Sequence, residues 1–125
     1  MASCAKLLVG AMPLATGFRK LHASSFASTT YGLAFQRRLA TDGASSHTAG
    51  PGSPAPYWVR IERVGNVVIS STSPNGTTWT EIRRETIAMS AAVYVGLAVT
   101  SHNNNALCTA TFTNVQVVGV AAVAN

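Results

Sequence analysis

Acidic residues are scarce in this sequence. Its 125 residues hold four, Asp42, Glu62, Glu81 and Glu85, with none in the first 41 positions. A glycosidase needs two carboxyls roughly 5–10 Å apart. Here only Glu81 and Glu85 lie close together, flanking what reads as a strand end, and Glu62 reads as a partner for Arg60 or Arg63. No Ser/His/Asp pattern, nucleophile elbow or phosphate loop occurs either. No catalytic residue is assigned, and the expectation is that the chain is not an enzyme. Cysteine is nearly absent. Cys4 and Cys108 form no CxxC motif, and His22, His47 and His102 stand far apart, so no metal site or cofactor is indicated. A bridge between the two cysteines would close a loop of about a hundred residues, stabilising by about 4–5 kcal/mol in the chain-entropy picture. Termini fray, however, and two unpaired thiols are the preferred reading. Long apolar runs are missing too. Val117 to Ala124, for example, has eight residues, against roughly 18 for a membrane span.

Charge is also thin, at 10% of residues beside 47% hydrophobic, against roughly 25% charged in ordinary domains. That excludes a disordered chain, which needs low hydrophobicity and many charges. The length allows one domain. The net charge of +5 is held by Lys6, Arg19, Lys20, Arg37 and Arg38, while Arg60, Arg63, Arg83 and Arg84 balance the four acids. A basic, acid-free, Ser-rich N-terminus has the composition of a mitochondrial transit peptide over residues 1–40. Nucleic acid is not an expected partner, because a basic footprint should cluster on the folded domain.

The second half has the pattern of antiparallel strands. Tyr57–Val64 alternates, with Tyr57, Val59 and Ile61 on one face and Trp58, Arg60 and Glu62 on the other. Gly65-Asn66 suits a type II′ hairpin turn, and Val67–Ser73 is the return strand. Pro74-Asn75-Gly76 is a second turn signal, leading to a third strand over Thr77–Arg83. Ala92–Thr100 is apolar on both faces and predicts a central, doubly covered strand. Ser101–Asn105 reads as a loop, Leu107–Val118 as a last strand, and residues 120–125 as a tail. In the first half, Ala5–Met12 fits helix or strand, and Pro13 stops either. Leu21–Thr29 and Tyr31–Leu39 alternate loosely, with Leu33, Phe35 and Arg37 sharing a parity. Thr41–Pro56, rich in Gly, Ser, Ala and Pro, reads as a linker or long loop.

Several of these runs carry a resemblance. Phe35-Gln36-Arg37-Arg38, the Gly/Ser/Thr loop over Ala40–Ala55, Pro56-Tyr57-Trp58, the unbroken Tyr94–His102 run and Ala110–Val115 occur in matching order and spacing. Together they resemble the C-terminal part of bacterial concanavalin A-like jelly-roll modules. These are regulatory or C-terminal domains of secreted carbohydrate-active and surface proteins, also found behind β-xylosidases. The likeness covers roughly residues 31–119 and extends weakly through Lys20-Leu21-His22-Ala23 to residue 18. Residues 1–17 depart from it, with Pro13 standing where a ladder would need a donor, and the family has further strands upstream. The resemblance implies an all-β, antiparallel concanavalin A-like jelly-roll sandwich over residues 18–119, incomplete at its N-terminus. It places Arg37 and Arg38 in a strand of the domain and implies an extracellular location, although no signal-peptide pattern is present.

Carbohydrate binding is the positive functional expectation. Sugar rings stack their C–H faces on exposed aromatics, and their hydroxyls take Asn, Arg and His donors. The ligand-binding candidates are Trp58, Arg60, His102, Asn103 and Asn104, with a polysaccharide or glycan as partner. Trp58 shares a face with Arg60 and Glu62 and is open to core or surface. Trp79, just past the Pro-Asn-Gly turn, reads as a hairpin pin, and Tyr57 reads as core. The Asn-rich loop is most simply a turn. Asn75-Gly76-Thr77 is formally a glycosylation sequon and also a plain turn. The alternatives are a truncated fragment without activity, prone to self-association through an uncovered sheet face or edge, and a mitochondrially targeted small β-protein.

Overall fold

The computed structural model describes residues 3–11, 22–28, 32–52, 57–89, 91, 93–99 and 105–119. Every regular element among them is a strand. In chain order these are β1 (Ser3–Ala11), β2 (His22–Ser28), β3 (Gly32–Arg38), β4 (Ser45–Ala49), β5 (Trp58–Val64), β6 (Val67–Ser73), β7 (Thr80–Thr86) and β8 (Val93–Val99). They build a five-stranded sheet in the order β4-β3-β2-β1-β8 and a three-stranded sheet in the order β5-β6-β7. All the neighbouring pairs are antiparallel. The smaller sheet packs face to face on the larger one, with β5 across β1 and β2, β6 across β2, and β7 across β3 and β4. The chain is therefore an all-β antiparallel sandwich.

Period-two alternation selects the inward set. Ala23 of β2, Phe35 of β3 and Val68 of β6 form the core with Ile87 and Met89, and Ile61, Ile82 and Val93 pack against it. Leu33, Phe35 and Arg37, one parity in the sequence, are all buried. The core is unusually rich in hydroxyls: Ser25, Ser70 and Thr72 are fully buried. Buried polar groups need partners, and Ser25 and Ser70 supply each other's across the two sheets. Thr72 Oγ1 has no hydrogen-bond partner among the described residues.

One ion pair spans the sheets. Arg37 is buried, and its Nε lies 3.6 Å from Glu85 Oε2 on β7. Its Nη1 donates to Thr48 Oγ1 at 2.6 Å and to the Phe35 carbonyl at 3.4 Å. Burial lowers the Arg37 pKa below the usual guanidinium range, with Glu85 opposing the shift and Arg83 adding to it.

Five expectations need correction. First, Ser45–Ala49 is a strand rather than part of a linker. Its residues are small and polar, but it completes the β3 edge, where Arg38 donates to Ser45 Oγ at 3.0 Å and Gln36 bonds His47 at 3.2 Å. Second, the strand expected over Thr77–Arg83 begins at Thr80, because side chains capture the amides of the preceding turn. Third, β8 is an edge strand and not a doubly covered central one. The overlap of the sheets stops at β1, and Tyr94, Val95, Leu97 and Val99 keep 43–47% exposure. Fourth, Leu107–Val118 forms no strand. Its alternation is interrupted at Asn114, which has φ 54°, a left-handed conformation that breaks an extended run. Fifth, Cys108 is disulfide-bonded rather than a free thiol.

Candidate functional site

The site is built on the outward face of the three-stranded sheet. Ile61 packs against the core, so alternation turns Trp58, Arg60 and Glu62 of β5 outward. Trp58 is 37% exposed, and is therefore a surface residue rather than core. The cross-strand neighbours of Trp58 and Arg60 are Ser73 and Ser71. Both serines are buried, roofed by the longer side chains beside them. Tyr57 lies just before β5 and is half-buried.

The turn after β6 presses against Trp58. Ser73 Oγ accepts from the amides of Asn75 at 3.2 Å and Gly76 at 2.8 Å, and donates to Asn75 Oδ1 at 3.0 Å. Asn75 Oδ1 accepts from the amides of Thr77 at 2.9 Å and Thr78 at 2.8 Å. These bonds hold the chain out of the ladder until Thr80. Gly76 has φ +79°, and a Cβ there would stand 2.8 Å from Trp58 Cε2. Only glycine gives both that conformation and that approach. The Asn75 side chain, the acceptor end of the formal sequon, is thus committed to the turn.

Trp79 returns the chain to the same face. The Arg60 guanidinium sits 4.1 Å from its ring centroid, a cation–π contact of the kind worth about 0.5–1 kcal/mol when exposed. Arg60 Nε also lies 3.0 Å from Glu62 Oε1. That contact is an ion pair without hydrogen-bond alignment, since Arg60 Nε has no hydrogen-bond partner among the described residues. Further along the face, Arg84 grips Glu81 through two bonds of 2.8 Å. This holds the Glu81 carboxyl below, and the Arg84 guanidinium above, its usual range. The face therefore presents two indoles, two forked donors and two carboxylates, with each charge paired.

Of the five binding residues expected from sequence, the structure brings Trp58 and Arg60 together on one strand face. His102, Asn103 and Asn104 lie outside the described residues. Glu81 and Arg84 join the face unannounced, and Trp79, weighed from sequence as a stacking candidate but favoured as a hairpin pin, joins it too. Trp79 does adjoin the hairpin turn, as expected of a pin, but its ring also carries Arg60. Alternation within β5 could find Arg60, whereas its stacking partner depends on a turn shape set by Ser73 and Asn75. Compared with family models, with curated proteins and with solved structures, the chain finds no match.

Proposed function

We propose that the chain is a non-catalytic carbohydrate-binding module of the concanavalin A-like jelly-roll class, acting outside the cell. The carrying observation is the outward cluster of Trp58, Arg60 and Trp79, in which the guanidinium stacks on one indole at 4.1 Å. Indole faces and edges pack on the C–H faces of sugar rings, and guanidinium and carboxylate groups bond the hydroxyls. The pairing of Arg60 with Glu62 and of Arg84 with Glu81 leaves the face without net charge. Neutral glycans therefore suit it better than uronate or sulfate polymers. His102, Asn103 and Asn104 belong to the proposal on the resemblance and their donor chemistry alone. Arg37, buried between the sheets, favours reading β2 and β3 as parts of the domain rather than of a cleaved leader.

A glycan array tests this. Saturable binding to a neutral oligosaccharide, lost in Trp58→Ala with the far-UV circular dichroism unchanged, supports the reading. Silence across the array, or binding indifferent to Trp58 and Arg60, rejects it. A second reading, a fragment without activity of its own, draws on the exposed apolar side chains of β8. It predicts a silent array together with self-association.

A further inference from the structure

We propose that β8 is a self-pairing edge, through which two copies of the chain associate antiparallel about a two-fold axis at Gly96. Four strands end the two sheets: β4 and β8 in the larger, β5 and β7 in the smaller. Natural edges are protected by charge, shortness or proline. β4 has only five residues, β5 carries Arg60, Glu62 and Arg63, and β7 carries Glu81, Arg83, Arg84 and Glu85. β8, seven residues long (VYVGLAV), has no charge and no proline. Its far edge has no ladder partner among the described residues. An unpaired row of amides and carbonyls is a template for another strand.

The occupant is specified by the sequence of the edge. Turning VYVGLAV about Gly96 places Val93 opposite Val99, Tyr94 opposite Ala98, Val95 opposite Leu97 and Gly96 opposite itself. Each position meets an apolar one on the same face, and no like charges meet, which satisfies the self-complementarity a two-fold interface demands. On β7 the same operation about Arg83 would set Glu81 against Glu85 and Arg83 against its own copy, and on β5 it would set Arg63 against Val59. Val93 packs against the core, so alternation puts Val95, Leu97 and Val99 on that same face, beyond the cover of the smaller sheet. They stay 44–47% exposed. Among the described residues nothing lies within 4 Å of where a Cβ at Gly96 would stand, so the sheet face over the axis is open. One strand pair is smaller than the roughly 1,200 Å² of a standard interface. Association is therefore weak and concentration-dependent, and it joins the two larger sheets into one continuous sheet.

Sedimentation velocity of the full chain, from low micromolar to several hundred micromolar, reads this directly. The expected average mass climbs from one chain toward two. Two double variants fix the register while keeping the number of introduced charges equal. Val95→Lys/Leu97→Lys sets like charges across the axis and weakens the dimer by about tenfold or more. Val95→Lys/Leu97→Glu sets opposite charges across the same positions and restores it. Gly96→Cys gives a covalent dimer on mild oxidation, since directly opposed Cα atoms of about 4.5–5.5 Å are within disulfide reach. A chain that stays monomeric throughout overturns the proposal. So do two double variants that behave alike, or a Gly96→Cys chain that does not cross-link. Slow exchange, in the monomer, of those 93–99 amides that do not bond β1 also overturns it, by showing that the chain itself covers the edge.

Discussion

Glu85→Gln should be among the most damaging single changes in this protein, because it leaves the Arg37 guanidinium buried without its counter-charge. Arg37 is 5% exposed, and its Nε is 3.6 Å from Glu85 Oε2. Removing one partner of a buried pair costs about 3–5 kcal/mol, mostly for the charge left behind. Two features reduce this. The 3.6 Å contact is not a hydrogen bond, and Arg37 keeps its bonds to Thr48 and the Phe35 carbonyl. The expected loss is therefore about 2–3 kcal/mol. The reverse change, Arg37→Met, should cost less, about 1 kcal/mol, because it removes the desolvated charge and keeps an apolar stem. Glu85 is then still held by Arg83 at 3.1 Å. Urea unfolding followed by circular dichroism resolves the two. At a slope of about 1–3 kcal/mol/M, Glu85→Gln lowers the midpoint by about 1–2 M and Arg37→Met by clearly less. The reverse order, or two midpoints within error of the parent, would refute the claim that a desolvated cation sits between the sheets.

Thr72→Val should raise stability by about 1 kcal/mol, since it removes, at nearly constant shape, a buried hydroxyl that has no partner among the described residues; a lower urea midpoint would contradict this. Gly76→Ala should cost about 1–3 kcal/mol through its positive φ and its clash with Trp58, and should shift tryptophan emission; unchanged emission and stability would refute the Gly76–Trp58 contact. In an NMR pH titration, the Glu81 carboxyl should have its midpoint below the usual carboxylate range, because Arg84 bonds its ionised form. Its folded pKa is depressed, so the pair's contribution is present above the unfolded pKa and fades as pH falls through the folded one. Arg84→Met should move that midpoint upward.

The β5–β6 hairpin was legible in full. Strict alternation over Val59–Val64 and a Gly-Asn turn specify it, and Gly65 has the positive φ that a II′ turn needs at its first position. The shared parity of Leu33, Phe35 and Arg37 likewise foretold the buried face of β3. β4 was hidden because its Ser, His, Thr and Ala residues carry no apolar period; the waiting edge of β3 makes it a strand. β8 misled for the opposite reason. Two apolar faces imply cover on both sides, but the smaller sheet ends over β1. In the Leu107–Val118 run the period is present, yet Asn114 turns left-handed inside it. At the site, alternation exposed Trp58 and Arg60 as one face. The Arg60–Trp79 stack was out of reach, because it depends on Asn75 and Ser73 holding the six residues 74–79 out of the ladder.

Both tryptophans of the chain lie on the proposed binding face, so its intrinsic indole emission reports on that face alone. Titration of this emission with a panel of neutral and anionic polysaccharides is the most direct measurement. A neutral-glycan-binding face gives a saturable change with at least one neutral polymer, weaker or absent with anionic ones, and abolished in Trp58→Ala. Emission that no polysaccharide alters, from a chain whose near-UV circular dichroism shows both indoles held in place, would contradict it.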